Sequence, residues 1–178
     1  MPDLSVKKRR TILHIIRTLT VGFFLFFSGL VSSSPYVAST IDLSKAIDIC
    51  NKLCKVKTTD IIHVVKVIHR EVERTNLNPN LLLAIAISES NLNPKAVGPG
   101  KYSKGIMQVN TRYHMSKFVK HPLDLEDNVR VGADILKTCK VKHKGNFNKT
   151  IFCYRGLKDL KYLAKITRYM QYNVFPLV

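Results

Sequence analysis

A chain of 178 residues is long enough for one ordinary domain and too short for two large ones. It carries 29 Lys+Arg against 12 Asp+Glu, a formal net charge of +17. Such a surface attracts polyanions, whether nucleic acid, anionic lipid or an anionic cell wall, and charge alone does not choose among them.

The first forty residues narrow that choice. "VKKRR" (6–10) is basic, and "TLTVGFFLFFSGLVSSSPYVASTI" (18–41) carries no charge. Its apolar core, Leu19 to Val31, has the length of a signal-peptide h-region and is short for a membrane span. Small residues follow, and cleavage after Ser33 or Ser39 fits the pattern. The competing reading is an uncleaved signal anchor, with membrane contact only through residues 11–41. Either way the rest of the chain is expected outside the cytoplasm, periplasmic or associated with the cell envelope. That weighs against nucleic acid. Residues 1–39 hold five of the 29 basic residues and one of the 12 acids, leaving 24 against 11, a net +13. An extracytoplasmic polyanion is the natural partner.

All four cysteines (Cys50, Cys54, Cys139, Cys153) lie in this exported part, where disulfides persist. Of three connectivities, the favoured one joins Cys50 to Cys54 and Cys139 to Cys153; free thiols are the competing reading. The chain has no Cys-x-x-Cys and no His at a matching interval, so neither a metal site nor a cofactor is expected.

Hydrophobic periodicity then marks helices in chain order. Residues 43–57 form a short amphipathic helix. Residues 58–76 form a second, capped by Asp60, with Ile61, Val64, Val65, Ile68 and Val72 on one stripe. A third spans 78–90, with Asn78 as cap and Pro79 at the first helical position. It is apolar all round from Leu81 to Ile87, which predicts burial on most sides. Residues 91–114 read as a loop or small β-like excursion that returns to the core at Ile106, Met107 and Val109. Residues 124–140 form a fourth helix, capped by Asp124, in which Gly132 allows close helix contact. A short buried helix follows at 147–156, and a basic amphipathic helix closes the chain at 157–174. The fold class is mainly α, with residues 40–69 as N-terminal helices preceding the main domain at 70–178.

Glu89 ends the apolar third helix, and no other acid follows until Asp124. Burial disfavours the charged form and raises a carboxyl pKa. A carboxylic acid that stays protonated near neutral pH donates to a glycosidic oxygen. Glycosidases ordinarily use two carboxylates. The acid-free stretch after Glu89 instead favours one carboxylate acting first as acid, then as base, with the nucleophile drawn from the substrate or from water.

At this point "ESNLNPKAVG" (89–98) and "KGIMQVN" (104–110) resemble the E-S-x-x-N-P-x-A and G-[LI]-M-Q motifs of the lysozyme-like lytic transglycosylases. "DLEDNVRVGADIL" (124–136) is similar to the N-[IV]-x-x-G helix of that family, and "FCYRG" (152–156) to its Tyr-Asn-x-Gly motif. The resemblance covers about residues 70–160. It implies a goose-type lysozyme/transglycosylase helical domain with a small loop or β excursion after the catalytic helix, occupying 70–178. It implies cleavage of the β-1,4 bond between N-acetylmuramic acid and N-acetylglucosamine in peptidoglycan, leaving a 1,6-anhydro sugar. Carried over by position, Glu89 is the acid/base and Ser90 helps to hold the acid and the sugar. Gly105, Met107 and Gln108 line a sugar subsite, and the Tyr154 hydroxyl approaches the acid. Met107 and Tyr154 also suit plain core positions. Arg155 stands where the family has Asn. Small size, export and "GIMQVNTRYHM" are most similar to members that serve secretion or conjugation machines. The alternatives are a lysozyme-type hydrolase of the same bond and a non-catalytic basic wall-binding protein.

Overall fold

The structure, a computed structural model, describes residues 43–54 and 58–175. The readings made on residues 1–42, the export segment among them, lie outside the described residues. Seven α-helices are described: α1 (Leu43–Leu53), α2 (Thr58–Thr75), α3 (Pro79–Ser90), the short α4 (Thr111–His114), α5 (Leu125–Lys142), α6 (Phe147–Arg155) and α7 (Leu160–Met170). A 3₁₀ turn at Met115–Lys117 follows α4. Between α3 and α4 run two short strands, β1 (Ser103–Lys104) and β2 (Val109–Asn110). They pair antiparallel, Ser103 opposite Asn110 and Lys104 opposite Val109. The chain is mainly α, as its periodicity implies, and no described helix is long and apolar enough to cross a membrane.

Helix α3 is the axis of the core. Every residue from Pro79 to Ile87 is buried, because an all-apolar surface is satisfied only when neighbours cover it on most sides. Helices α2 and α7 pack against it, and α5 packs against α2 and α6. The one polar residue in that buried stretch, Asn80, is saturated by the C-terminal tail. Its amide donates to Phe175 O (2.8 Å) and Asn173 Oδ1 (3.1 Å), and its Oδ1 accepts from Phe175 N (3.0 Å). Asn78 caps the helix and Pro79 opens it. It stops at Asn91, which is left-handed at φ 51°, and the buried Leu92 follows at φ 63°. Two consecutive left-handed residues turn the chain sharply, and this leaves Glu89 in the last turn of a buried helix.

Several expectations are revised by the packing. Helix α2 begins at Thr58, so Asp60 lies in its first turn and complements the dipole there rather than capping. The closing helix does not begin at 157. Gly156, at φ 79°, caps α6, and Asp159 caps α7 by accepting from Tyr162 N, so α6 ends at Arg155 and α7 spans only Leu160–Met170. Only Thr150 and Ile151 of α6 are fully buried. Gly132 does permit close contact, but with a loop. A Cβ there would lie 2.8 Å from Met107 Cβ.

The Cys139–Cys153 disulfide joins α5 to α6, as expected. Cys50 and Cys54 are free thiols, which corrects the other pairing. Cys54 N donates to Cys50 O at 2.7 Å, continuing the helical pattern, and i,i+4 neighbours hold their Cβ atoms about 5–6 Å apart. A disulfide needs about 3.8 Å. Burial pushes the Cys50 thiol up to about 12 and the Cys54 thiol up to about 11, so both stay protonated. The disulfide closes a loop with a sequence separation of 14. Replacing Cys139 and Cys153 together by Ser is expected to lower unfolding free energy by about 3 kcal/mol. Urea titration in the absence of reductant reads this, and an unchanged midpoint would contradict it.

Candidate active site

The Glu89 side chain is only 10% exposed. Its surroundings come from two helices that follow it far along the chain. From α7, the Tyr162 hydroxyl donates to Glu89 Oε1 at 2.7 Å. From the end of α6, Arg155 Nη1 stands 3.8 Å from Oε2. Lys165, one turn beyond Tyr162, donates to the Ser88 carbonyl at 3.1 Å. Burial is the dominant influence and raises the Glu89 pKa above the usual carboxyl range. The Tyr162 hydrogen bond, Arg155 and Lys165 oppose it without cancelling it. Tyr162 is itself buried, and burial first, then the Glu89 charge, push its phenol far up. It therefore stays protonated and serves as a donor.

The loop beside Glu89 is held by α5 through two residues one turn apart. Asn128, fully buried, donates to Lys104 O (2.9 Å) and Pro122 O (2.8 Å) and accepts from Met107 N (2.8 Å). Its amide presses so close to Gly105 that a Cβ there would lie 2.3–2.7 Å from the amide atoms. One turn on, Gly132 receives the Met107 side chain. Ser90 completes the clamp from α3, its hydroxyl within reach of Ile106 O (2.9 Å) and Ala86 O (3.1 Å).

The residues singled out from the sequence thus gather around one loop, with roles that differ in detail. Met107 is fully buried, so its side chain fills the core against Gly132 and lines no open groove. Its carbonyl accepts from the Tyr154 hydroxyl at 2.8 Å. Tyr154 was expected to point its hydroxyl at the acid; that contact belongs to Tyr162. Tyr154 is still near enough for the Glu89 charge to raise its phenol, after burial. Gln108 was expected to donate to and accept from an N-acetyl group. Its amide nitrogen is spent on Gly105 O (2.8 Å) and Ala96 O (3.2 Å), and two carbonyl partners fix its orientation. Only its oxygen remains to accept. Gly105 acts through its missing side chain and Ser90 through its loop bond.

Sequence reasoning missed two residues. Asn128 carries a legible signal, since it lies four residues before Gly132 and the two share one helix face. Tyr162 has none, since it reads as one more apolar position on an amphipathic helix. The later acids are engaged elsewhere. Asp124 caps α5, Glu126 pairs with Arg70, Asp127 with Arg130, and Asp134 with Arg74. Asp159 caps α7 and lies 3.9 Å from Arg155 Nε.

Comparison with known families matches the transglycosylase SLT domain to residues 66–162, a span that opens inside α2 and closes on Tyr162. No solved structure matches the chain. A match over more than half the chain, carried by a lysozyme-like helical fold, decides the kinship: this protein belongs to the transglycosylase SLT family and is a peptidoglycan lytic transglycosylase, an enzyme that breaks glycosidic bonds of the cell wall outside the cytoplasm.

Proposed function

We propose that Glu89 is the single acid/base of this enzyme and that the product is a 1,6-anhydro sugar. The observation that carries the reading is a near-buried carboxyl with a raised pKa, hydrogen-bonded by a neutral phenol. Protonated Glu89 donates its proton to the glycosidic oxygen between N-acetylmuramic acid and N-acetylglucosamine as the bond from C1 breaks. The carboxylate left behind takes the proton of the muramic acid C6 hydroxyl, whose oxygen closes on C1. Glu89 ends protonated, and no water is consumed. Ser90, Gly105 and Asn128 serve by holding the loop that borders the acid. Gln108 offers its one free acceptor, and Tyr154 supports the loop through the Met107 carbonyl. Residues 1–39 are read as the segment that directs the enzyme to the envelope, and wall opening for a secretion or conjugation machine is a fitting use for so small a domain.

Product mass tests the reading. Digested peptidoglycan should yield fragments whose masses sum to that of the parent strand. Fragments heavier by one water would replace it with lysozyme-type hydrolysis.

Tyr162→Phe removes a hydrogen bond that favours ionised Glu89. The Glu89 pKa should rise further, moving the alkaline limb of kcat/KM to higher pH. Loss of orientation should lower kcat by roughly tenfold or more, the scale of one hydrogen bond to a charged group. A profile and kcat equal to the parent's would remove Tyr162 from the site.

A further inference from the structure

Arg155 is held unlike the other ion-paired arginines of the described residues. Arg70, Arg74 and Arg130 each donate at least one hydrogen bond of 2.7 Å or shorter. Arg155 has Nη1 at 3.8 Å from Glu89 Oε2 and Nε at 3.9 Å from Asp159 Oδ2, both beyond the N–H···O range of about 2.7–3.2 Å. Its guanidinium rests over the Tyr162 ring, 5.1 Å from the centroid. Among the described residues none accepts a hydrogen bond from it, and its side chain is 41% exposed. Five N–H donors in a planar fork are therefore available beside Glu89. That fork matches a carboxylate in two-point contact.

Resting on the assignment of Glu89 as the acid, we infer that Arg155 is an anion-reading subsite. It takes a carboxylate of the peptide carried by N-acetylmuramic acid, and it leaves Glu89 when it does so. The geometry supports a movable partner. A guanidinium locked on Glu89 would hold the acid ionised, and an ionised carboxyl has no proton to give. The other groups facing Glu89 do not need to move. Tyr162 and Tyr154 are neutral donors, and the Lys165 ammonium is anchored on the Ser88 carbonyl. Arg155 alone combines charge, exposure and unused donors. Substrate capture and release of the acid then become one event, and Asp159 is positioned to hold the guanidinium in waiting.

The test compares two preparations of glycan strands: native, and with the peptide carboxylates converted to amides by carbodiimide and ammonia. The full-length parent should bind and cleave native strands about tenfold better than amidated ones, the scale of a charge-assisted hydrogen bond. Arg155→Asn should lose most of that preference, chiefly through KM. Arg155→Lys, which keeps charge without the fork, should fall between the two. Lys149→Asn, an equal change in net charge at an exposed site on α6, should keep the full preference. If Arg155→Asn weakens binding of both preparations equally, or of neither, the inference is overturned. The Glu89 assignment fails by a different result, cleavage by Glu89→Gln at a tenth of the parent rate or more, and the binding comparison is read without reference to it.

Discussion

Glu89→Gln is expected to lower the rate of peptidoglycan cleavage by roughly a thousandfold or more, the upper range for loss of a general acid, because one group serves both proton transfers. Fold and binding should survive. Gln is nearly isosteric, and its amide oxygen still accepts from Tyr162. The same change bears on stability. Burial raises the Glu89 pKa, so the folded state binds a proton more tightly than the unfolded chain does. The sign follows: Glu89 favours the fold below its unfolded pKa, and that contribution is lost as pH rises through the folded value. Glu89→Gln should therefore be the more stable protein at neutral pH, with the difference fading under acid conditions. Release of soluble fragments from sacculi measures the first effect, and thermal melts at neutral and acid pH measure the second. A variant that retains a tenth of the parent rate would sink the single-acid mechanism. A variant less stable at neutral pH would contradict the desolvation of Glu89. An enzyme that keeps a near-buried, destabilising carboxyl is trading stability for reactivity.

The second large effect is on architecture. Gly105→Ala should destabilise the chain by about 3 kcal/mol, combining a left-handed residue with overpacking. Gly105 has φ 75°, and the new Cβ would fall 2.3 Å from Asn128 Nδ2. That nitrogen is pinned by two carbonyls, so it cannot withdraw without leaving buried groups unpaired. The consequence should reach the site, because the same amide holds Met107 N and the loop that Ser90 and Tyr154 clamp. The expected result is a lower urea midpoint together with loss of activity at temperatures where the fold persists. Equal stability would show that the loop yields to the methyl group. Asn128→Ala removes the obstruction as well as the clamp. Cleavage should fall without any clash at Gly105, which distinguishes loop support from simple overcrowding.

Much of this protein is legible along the chain because the relevant physics is local. The all-apolar run from Leu81 to Ile87 can form only a helix surrounded by neighbours. Asn78, Pro79 and Asp124 mark helix ends by capping chemistry that operates over three or four residues. Glu89 stands out because acids are withheld around it, and the motif order from Glu89 to Gly156 points to one family. The fold class and the kind of reaction follow from those features.

Tertiary structure decided which side chains meet. Of two tyrosines eight residues apart, the motif points to Tyr154, while Tyr162 reads as one more apolar position on a helix. Helix α7 packs on α3 and brings Tyr162 to Glu89, while α6 leaves Tyr154 under the loop. Met107 and Gln108 read as groove-lining residues, yet the close approach of Gly132 buries the one and two carbonyls occupy the other. Cys50 and Cys54 match as a pair by count and compartment, and a single turn of helix holds them apart. The charge of Arg155 is plain in the sequence. That it waits beside Glu89 without a hydrogen bond is a matter of distances between α3, α6 and the start of α7, and no pattern along a chain encodes distances between helices.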